Sequence, residues 1–468
     1  MKKLSELYSG YPDILIDGIK INSKEVHSND LFVCVKGVTV DRHDYVDEAI
    51  NNGAVAIVAS RHIDVSVPVI YVSDTNLELA SLCSKFYDYP EKRLNIIGIT
   101  GTNGKTTVAS IIKDLIGDDC GYLGTNGIIC SKFNEKIRNT TPDADRLFMY
   151  FDRFLDSDCK YLSMEASSEA FYRNRLNNVY FKVGVITNIT EDHLNIHKTI
   201  ENYVSSKQEI INHITDDGVL ILNTDDKYYV DTRNKAKSKV LTYGKKEADL
   251  TIIRVNEFIN KTDITFKYQD KIYEITSPLL GEFNVYNLCA AILSLLVLGF
   301  NIETIIKNIV NVKVPKGRME FIHNKNDYNI IIDYAHTPDA FKKIYEFLNK
   351  VKTGKIITVT GSAGGREHEK RKEMGRVVLD NSDYCIFTMD DPRNEDVNTI
   401  IDDLVSDTNK TNYERIINRD EAIKKAISLI SKDDILLIAG KGDDNYMAIG
   451  NDYLPYKDSD VVNNFFKE

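Results

Sequence analysis

Short apolar runs recur along the chain, and each of them ends in a polar or glycine-containing loop. Three such runs near the N-terminus alternate with helix-like stretches such as DYVDEAINN, and they are LFVCVKG (31–37), AVAIVAS (54–60) and PVIYVSD (68–74). This alternation of strand and helix patterns is typical of an α/β unit. We therefore predict a small α/β domain over residues 1–92, which ends in a polar linker at YDYPEKR (87–93).

A second series of apolar runs predicts a central domain over residues 93–316. It begins with LNIIGIT (94–100), which leads through a glycine loop into the helical pattern TTVASIIKDLIG, and continues with KYLSMEA (160–166), KVGVITN (182–188) and GVLILN (218–223). Near-continuous apolar strands are typical of a parallel sheet covered by helices. The longest apolar run, CAAILSLLVLGF (289–300), is too short to span a bilayer and is predicted to form a buried helix.

A third series predicts a C-terminal domain over residues 317–468. Its strands are YNIIIDYA (328–335), GKIITVTG (354–361), DYCIFTMDD (383–391) and DILLIAGKG (434–442). Each run is followed by glycines or acidic residues, and ligands of open α/β sheets bind beyond the carboxyl ends of the strands. The predicted fold class is therefore α/β with three domains.

Length and composition limit the functional classes. A chain of 468 residues suits two to four domains, and its net charge of -11 argues against broad nucleic-acid binding, which needs a basic surface. The N-terminus MKKLSELYSGYPDILI lacks the apolar core of a signal peptide. Seven cysteines without a C-x-x-C pair are typical of a reducing compartment. We therefore predict a cytoplasmic protein that does not insert into membranes.

The stretch ITGTNGKTTVAS (99–110) has the features of a phosphate-binding loop, although Ile99 stands where the usual pattern has its first glycine. Gly101 and Gly104 allow backbone N–H groups to turn inward, Lys105 supplies a positive charge and Thr106 a hydroxyl for Mg²⁺. The start of the following helix adds partial positive charge. On local sequence alone, a tight strand–helix turn with a surface lysine stays open as the alternative.

Further motifs follow the loop in a fixed order along the chain. They are NTTPD (139–143), MEASSEA (164–170), TNITEDHLNIH (187–197), GEFNVYN (281–287), GRMEF (317–321), DYAHTPDAF (333–341), GSAGGREHEKR (361–371), DDPRNED (390–396) and AGKGDDNY (439–446). Together with TGTNGKTT this order resembles the Mur ligase superfamily over essentially the whole chain. The resemblance implies a central P-loop-type ATPase sheet, flanked by an N-terminal UDP-binding α/β domain and a C-terminal Rossmann-like domain that binds the amino acid.

The resemblance also implies an activity. It is closest to the members that add the third residue to UDP-N-acetylmuramoyl-L-alanyl-D-glutamate, through an acyl phosphate made with ATP, in peptidoglycan precursor synthesis. The substrate carboxylate attacks the γ-phosphate of ATP, and an incoming amine then displaces phosphate. Positioning and charge neutralisation dominate such phosphoryl transfer. We expect ATP, Mg²⁺, the UDP-linked dipeptide and a diamino acid as ligands of a monomeric enzyme.

Residue by residue, the resemblance assigns the nucleotide and the metal. The ATP-binding residues are Gly101, Thr102, Asn103, Gly104, Lys105, Thr106, Thr107, Asn284, Arg318 and Asp333. The metal ligands are Thr106, Glu165, His193 and Lys207, where Lys207 matches a lysine that CO₂ converts into a carbamate. The catalytic residues are Lys105, His193 and Lys207. Taken alone, Lys207 has the simpler interpretation of a solvated helix lysine, and His193 that of a loop histidine.

The two other substrates are assigned in the same way. The UDP-muramoyl-dipeptide is expected at Ser23, Asn139, Thr140, Thr141, Ser167 and Arg175. The incoming amino acid is expected at Arg366, Asp390, Asp391, Arg393, Gly440 and Asp444. His336 orients the nucleotide site or has a structural role. The chain departs from the family pattern at Glu169, Asn195 and Asp443, and at Asn22-Ser23-Lys24 and Asp41-Arg42-His43 near the N-terminus.

The identity of the amino acid depends on DDPRNED. Family members that add meso-2,6-diaminopimelate read DNPR here, and the arginine fork suits the distal carboxylate that distinguishes this substrate from L-lysine. This chain keeps Arg393, which favours meso-diaminopimelate. Against it, Asp391 replaces an asparagine and adds an anion, and Asp444 replaces a glutamate, so L-lysine or another diamino acid stays an alternative.

Two further functions stay open at this point. A folate polyglutamate-type ligase shares the loop and the layered organisation, but the N-terminal domain and NTTPD argue against it. A non-catalytic paralogue that binds nucleotide would be free to lose the site residues. The presence of Lys105, Glu165, His193 and Lys207 argues for catalysis.

Overall fold

The apolar runs predicted near the N-terminus pair side by side in a parallel sheet. The computed structural model describes residues 1–37, 40–191, 194–365 and 368–467, with the backbone alone at 194 and 195. A short antiparallel pair, β1 (Lys2–Lys3) and β2 (Leu15–Ile16), precedes the four-stranded sheet, whose order is β3 (Gly18–Lys20), β4 (Asp30–Val33), β5 (Ala54–Ala59) and β6 (Val69–Tyr71). The helices of this part are α1 (Leu4–Leu7), α2 (Val46–Asn51) and α3 (Thr75–Phe86).

The next sheet carries the phosphate-loop motif on a central strand. Its strands are β7 (Asn95–Thr100), β8 (Cys120–Gly124), β9 (Gly127–Ile129), β10 (Asn134–Glu135), β11 (Tyr161–Glu165), β12 (Phe181–Ile186), β13 (Ile214–Asn223) and β14 (Lys239–Gly244). They are arranged in the order β10-β9-β8-β11-β7-β12-β13-β14. From β8 to β14 neighbouring strands are parallel, so β7, β11 and β12 place their carboxyl ends at one edge. The predicted parallel sheet is confirmed.

Helices cover this sheet and bury its apolar strands. They are α4 (Lys105–Ile116), α5 (Ala144–Asp156), α6 (Ser168–Tyr172), α7 (Leu194–His197), α8 (Ile200–Gln208) and α9 (Tyr229–Lys235). The segment predicted as a polar linker is partly exposed and partly packed: Pro90–Lys92 forms a 3-10 helix, in which Pro90 and Glu91 are buried and Lys92 is exposed. Glu91 accepts a hydrogen bond from Ser84 at 2.8 Å. The chain thus passes from the first sheet to the second through a partly packed turn.

By its contacts the chain divides into two compact units. The first comprises residues 1–249 and 289–302, and the second comprises residues 250–288 and 303–468. The boundaries predicted at 92/93 and 316/317 stay predictions. Residues 289–297 of the apolar run predicted as a buried helix lie in α10 (Glu282–Val297), which begins and ends before that run does, and α11 (Ile302–Ile309) follows. No helix among the described residues is long and apolar enough to cross a membrane.

The second unit contains three sheets. An antiparallel meander of β15 (Leu250–Phe258), β16 (Lys261–Tyr268) and β17 (Lys271–Ser277) comes first. The largest sheet has the order β18 (Glu320–Phe321), β19 (Asn329–Asp333), β23 (Ile435–Ala439), β20 (Ile356–Thr360), β21 (Tyr384–Phe387) and β22 (Tyr413–Arg415), parallel except for β18. A hairpin of β24 (Tyr446–Ile449) and β25 (Asp452–Pro455) is the third.

Five helices pack around the parallel sheet of the second unit: α12 (Pro338–Val351), α13 (His368–Asn381), α14 (Val397–Val405), α15 (Arg419–Leu429) and α16 (Asp458–Phe465). The sheet separates two apolar clusters. One contains Ile331, Leu437 and Phe387, and the other contains Ile332 and Ile438. Alternate residues of β19 and β23 therefore face opposite layers, as expected for strands buried on both faces.

Candidate active site

The segment between β7 and α4 forms a tight loop whose backbone N–H groups lead into the helix. Gly104 precedes α4 with φ 89° and Gly101 has φ 145°, conformations that favour glycine. A Cβ atom at Gly101 would lie 1.9 Å from Oγ1 of Thr187. The half-buried Lys105 folds back, and its Nζ donates to the carbonyls of Gly101 at 2.9 Å and Thr102 at 3.0 Å. This geometry favours a phosphate loop over a turn with a solvated surface lysine.

The loop is held from outside by the segment that follows β12. Asn188 binds both backbone groups of one loop residue: its Oδ1 accepts from the N–H of Asn103 at 3.1 Å, and its Nδ2 donates to the carbonyl of Asn103 at 3.0 Å. The hydroxyl of Thr187 also donates to this carbonyl, at 2.6 Å. Thr102 contacts the same segment, because its Oγ1 accepts from the N–H of Thr190 at 3.0 Å. The loop conformation is therefore fixed by residues that lie far away in sequence.

Glu165 ends β11 directly beside the loop. Its carboxylate is fully buried, and Oε1 accepts from Thr106 Oγ1 at 2.9 Å, Tyr122 OH at 2.7 Å and Thr125 N–H at 2.9 Å. The Thr125 hydroxyl donates to Oε2 at 3.2 Å. All these donors are neutral, so an anionic Glu165 would keep its charge at the carboxyl edge of the sheet. The structure thus brings together Thr106 and Glu165, two of the predicted metal ligands.

Lys207 is buried, in contrast to a solvated helix lysine. Its side chain leaves α8 toward the loop, and Nζ donates to the carbonyl of Gly101 at 2.7 Å. Nζ also lies 4.5 Å from the ring centroid of Tyr203, one turn earlier on the same helix. Lys207 therefore reaches the phosphate loop from α8 and binds the same carbonyl oxygen of Gly101 as Lys105. His193, the remaining predicted metal ligand, lies outside the described residues.

His197 is a buried residue of this region that the sequence reasoning did not single out. Its Nε2 lies 3.1 Å from Oγ of Ser168, and its ring contacts Tyr172 and Tyr203. Burial lowers the pKa of His197, and the positive charge of Lys207 lowers it further. The only sequence signal was its place at the end of TNITEDHLNIH. Tyr122 and Thr125 were missed for a similar reason, since Tyr122 lies within the ordinary strand β8 and Thr125 directly follows it.

Several residues assigned to the UDP-muramoyl-dipeptide lie close together. Thr141 accepts from the N–H of Ser167 at 3.1 Å through Oγ1, and its carbonyl accepts from Arg175 Nη1 at 3.1 Å. Arg175 also donates to Asp143 through Nε at 2.6 Å. Ser167 caps α6 by accepting from the N–H of Ala170. The group therefore forms one connected surface at the carboxyl end of β11.

Three other residues of that assignment have different surroundings. Asn139 is exposed, and the hydroxyl of the half-buried Thr140 lies 3.1 Å from Oγ1 of Thr125. Ser23 is buried in the N-terminal part, where its Oγ donates to Glu48 at 2.5 Å. Glu169, a departure from the family pattern, pairs with Arg173 at 2.7 Å. Thr140 thus extends the surface around Thr141 toward Thr125.

The residues of the second unit that are predicted to bind ATP lie at two separate positions. Asn284 is buried in the first turn of α10, where Nδ2 donates to the carbonyl of Leu280 at 2.7 Å. Asp333 ends β19, and its carboxylate accepts from the N–H groups of Met319 and Ala335, each at 2.7 Å. Burial raises the pKa of Asp333. Beside it the guanidinium of Arg318 lies 4.7 Å from the ring centroid of Tyr334, so Arg318 and Asp333 share one local site.

The residues assigned to the amino acid surround a buried lysine. Lys441 is fully buried, and its Nζ donates to Asp391 Oδ1 at 2.7 Å and Asp444 Oδ2 at 3.3 Å. Burial alone would lower the pKa of Lys441, but the carboxylates of Asp390, Asp391 and Asp444 raise it. Asp391 thus forms an ion pair with Lys441, which offsets part of the negative charge that this residue adds. Asp444 is likewise held by Lys441.

The remaining residues of this group line the same place. Gly440 has φ 113°, and a Cβ atom there would lie 2.1 Å from Oδ2 of Asp390. Arg393 is exposed and has φ 53°, while its backbone N–H donates to the carbonyl of Ala448 at 3.0 Å. The N–H of Ala448 in turn donates to Asp391 Oδ1 at 2.9 Å. Arg366 lies outside the described residues. The guanidinium of Arg393 is thus presented to solvent from a backbone anchored on β24.

His336 and Asp443 complete the set of residues that the sequence singled out. Nδ1 of His336 lies 2.9 Å from the carbonyl of Tyr334, and its ring contacts Tyr334 edge to face. Tyr334 thus contacts both His336 and Arg318. Asp443 pairs with Lys457 at 2.6 Å, so this departure from the family pattern serves a local ion pair.

Models of three protein families match consecutive parts of the chain. Residues 15–95 match the Mur ligase family, catalytic domain; residues 99–295 match the Mur ligase middle domain; and residues 317–442 match the Mur ligase, glutamate ligase domain. These matches cover all three series of strands described above.

Relatives of known name match over nearly the full length. The chain is 39% identical to UDP-N-acetylmuramoyl-L-alanyl-D-glutamate--2,6-diaminopimelate ligase 2 of Clostridium acetobutylicum, over 98% of this chain and 97% of that protein. It is 36% identical to UDP-N-acetylmuramoyl-L-alanyl-D-glutamate--2,6-diaminopimelate ligase of Bacillus cereus, over 96% and 93%. A solved structure of an enzyme with this second name has a TM-score of 0.71 at 27% identity, over 100% of this chain and 99% of that one.

The site and the fold thus define an ATP-dependent ligase built from three α/β domains. The chain belongs to the Mur ligase family. The predicted fold class and enzyme class are confirmed. ATP and Mg²⁺ are the ligands that membership of this family implies.

Proposed function

We propose that this chain joins meso-2,6-diaminopimelate to UDP-N-acetylmuramoyl-L-alanyl-D-glutamate at the expense of ATP, a step of peptidoglycan precursor synthesis. The observation that carries the proposal is the contact of Thr106 Oγ1 with the buried carboxylate of Glu165, 2.9 Å apart, at the start of α4. It places hard oxygen donors next to Lys105 and the N-terminus of a helix. The substrates are those for which relatives at 36 and 39% identity are named.

The oxygen atoms around Glu165 fit Mg²⁺. This ion prefers carboxylate and hydroxyl oxygens and combines one or two carboxylates with the phosphates of its substrate. Thr106 and Glu165 would hold it, together with His193 and a modified Lys207. Bound there, Mg²⁺ neutralises charge on the phosphate oxygens during transfer. The neutral donors around Glu165 orient its carboxylate and leave its charge available to a cation.

The reaction has two chemical steps, and the residues of the phosphate loop act in the first. In the first, a carboxylate oxygen of the D-glutamyl residue attacks the γ-phosphorus, the bond to the β–γ bridging oxygen breaks, and ADP leaves. Lys105 and the N–H groups at the start of α4 stabilise the charge that moves onto the phosphates. In the second step the amine nitrogen attacks the acyl carbon, phosphate leaves and the nitrogen loses a proton. The surface around Thr141, Ser167 and Arg175 would hold the UDP-linked dipeptide in line.

Lys207 is proposed to act as a carbamate. The ammonium first loses one proton; the amine nitrogen then forms a bond to the carbon of CO₂ and loses a second proton, so a cation becomes an anion with two oxygen ligands. A buried ammonium is costly to desolvate, which favours this conversion. The carbamate nitrogen keeps one hydrogen, so its bond to the carbonyl of Gly101, 2.7 Å long for the free lysine, can be retained.

The preference for meso-diaminopimelate over L-lysine is assigned to Arg393. Its side chain is solvent-exposed in the loop after β21, and its guanidinium can bind the distal carboxylate through two parallel N–H bonds. L-Lysine would bring a bare ammonium and leave the arginine unpaired. Asp391 is paired with Lys441 at 2.7 Å, which offsets part of the charge that this aspartate brings to the site. We also propose a monomeric enzyme located in the cytoplasm.

An ADP-release assay with the UDP-muramoyl-dipeptide and a panel of amines tests the proposal. We expect release that requires both the dipeptide and meso-diaminopimelate. Release that requires a folate instead of the UDP-linked substrate would point to a folate polyglutamate-type ligase. Nucleotide binding without any amine-dependent release would point to a non-catalytic paralogue. Either result would overturn the proposal.

A further inference from the structure

A buried arginine, Arg371, lies beside the loop after β20, which is close to Arg393. Arg371, in the first turn of α13, is 1% exposed. Its Nη1 lies 2.8 Å from Oε2 of Glu395 and donates to Asp403 Oδ2 at 3.0 Å, while Nη2 donates to the carbonyl of Ala363 at 2.9 Å. One guanidinium thus connects three separate segments: the loop after β20, the loop after β21 and helix α14. Only a planar fork with several donors can do this from one position.

The two loops that Arg371 connects also contact each other through their backbones. The N–H of Gly365 donates to Glu395 Oε1 at 2.6 Å, and the N–H of Gly364 donates to the carbonyl of Asp391 at 3.0 Å. A Cβ atom at Gly364 would lie 2.0 Å from the carbonyl oxygen of Pro392. Glu395 therefore binds Arg371 with one oxygen and Gly365 with the other. This carboxylate thus fixes the loop after β20, which we call the glycine loop in this section, relative to the loop after β21.

Arg393 lies between Asp391 and Glu395, the two residues that bind the glycine loop. It follows Asp391 and precedes Glu395 in the same loop, and it has the positive φ of 53°. Its Nη1 lies 3.8 Å from the position that a Cβ atom would take at Gly365. The direction of the exposed guanidinium thus depends on where the glycine loop and the Pro392 turn are held.

We propose that Arg371 is a positioning residue for amino-acid selection: through Glu395 and the carbonyl of Ala363 it sets the orientation in which Arg393 meets the distal carboxylate of the substrate. The proposal rests on the proposed function, because that function supplies the carboxylate. Arg371 itself is too deeply buried to touch a substrate. Burial alone would raise the pKa of Asp403, but hydrogen bonds from His368 and Arg371 lower it, so the cluster is ionic.

The test compares Arg371→Met with Arg371→Lys and with the control Arg376→Met. Arg376 lies on the same helix, is exposed, and is 4.0 Å from Asp407. In both Arg371 variants we expect the KM for diaminopimelate to rise about tenfold or more, since small displacements near a reacting group have large effects. The KM values for ATP and the UDP-dipeptide should change less than about twofold. Discrimination against L-lysine should fall, and the control should behave as the wild type.

A second variant covers the case in which Arg371→Met does not fold. Glu395→Gln keeps a side-chain oxygen for the N–H of Gly365 but removes the charge that attracts Arg371, and Glu373→Gln is its surface control, paired with Lys342 at 2.8 Å. In Glu395→Gln we expect the KM for diaminopimelate to rise selectively as well, by a smaller factor than in the Arg371 variants. Hydrogen exchange of the peptide that contains Gly364 and Gly365 should become faster in Glu395→Gln and Arg371→Lys, and this readout needs no substrate.

The outcomes separate the two proposals. Unchanged diaminopimelate KM and unchanged exchange at Gly364 and Gly365, in variants of an active enzyme, would overturn the role of Arg371. Equal losses for all three substrates would also overturn it, because they indicate a general structural role. A wild-type enzyme that releases no ADP with diaminopimelate would overturn the proposed function, while faster exchange in the variants would still support the link from Arg371 to the glycine loop.

Discussion

Lys105 and Lys207 donate hydrogen bonds to the same backbone oxygen, that of Gly101, at 2.9 and 2.7 Å. Lys105 begins α4, whereas Lys207 comes from α8, so one carbonyl of the loop connects two helices. Both positive charges converge on the turn at which the phosphates of ATP are proposed to bind. Each lysine can be removed separately, and the two removals should have different consequences.

Replacing Lys207 should remove the metal ligand. We expect Lys207→Ala to abolish ligation and leave the fold intact, because a methyl group supplies no anionic oxygens for Mg²⁺. Added short-chain carboxylic acids should restore part of the activity by filling the vacated space. ADP release with and without acid measures this, with the exposed Lys239→Ala as control. Wild-type activity of Lys207→Ala without any acid would exclude the carbamate.

Replacing Lys105 should remove phosphate neutralisation. We expect Lys105→Met to lower kcat by at least about a hundredfold, since its charge stabilises the transferring phosphoryl group. The side chain remains of similar length, so the loop should keep its shape. Steady-state ADP release measures the effect. A loss of less than about threefold, which corresponds to under about 1 kcal/mol of barrier, would mean that the loop is not catalytic.

Asn188 should be required for the shape of the loop. Asn188→Ala removes the side-chain bonds to the N–H and the carbonyl of Asn103, and we expect the KM for ATP to rise about tenfold or more because the loop loses its preorganised form. The exposed Asn212→Ala is the matched control, since its side chain contacts only the neighbouring Glu209 among the contacts described. Nucleotide binding by calorimetry measures the change. Equal affinities of Asn188→Ala and the wild type would refute this role.

Asp145 should make stability depend on pH. Burial raises its pKa to about 6, and its Oδ1 has no hydrogen-bond partner among the described residues. The unfolded chain loses this proton near pH 4, so between about pH 4 and 6 the folded state binds more protons and stability falls as pH rises. Above pH 6 the loss amounts to about 2–3 kcal/mol.

Asp145→Asn tests this account, because a neutral amide needs no deprotonation. We expect this variant to melt at a higher temperature than the wild type at pH 8, and the difference to vanish near pH 4. Asp156→Asn, exposed on the same helix α5, should show no such trend. Thermal unfolding across this pH range provides the measurement. A difference between Asp145→Asn and the wild type that does not vary with pH would contradict the assignment.

Local patterns were sufficient to predict the elements that carry the chemistry. The strand, glycine loop and helix around Lys105 are adjacent in sequence, and apolar runs of parallel strands are readily recognised. The proximity of Thr106 and Glu165 also follows, because β7 and β11 are parallel neighbours whose carboxyl ends coincide. The buried helix was predicted too short, since its first residues, from Glu282, are mixed in polarity.

The contacts that decide specificity could not be predicted in this way. Lys441 and Asp391 lie fifty positions apart, and their pairing depends on how two strand ends meet, at 2.7 Å. From the sequence, Asp391 is therefore predicted as an added anion, whereas its ion pair with Lys441 is not predicted. Arg371 resembled one more charge in the basic stretch GGREHEKR, although it is buried. Burial of a charged side chain reflects tertiary packing and leaves no periodic signal in the sequence.

Competition between meso-2,6-diaminopimelate and L-lysine for UDP-N-acetylmuramoyl-L-alanyl-D-glutamate tests the central claim most directly. With both amino acids at equal concentration, ATP and Mg²⁺, we expect the diaminopimelate product to predominate by at least about a hundredfold, because Arg393 pairs with the distal carboxylate. Arg393→Ala should reduce this preference and affect the use of lysine little. A wild-type enzyme that prefers L-lysine, with lysine use unchanged in Arg393→Ala, would contradict the account.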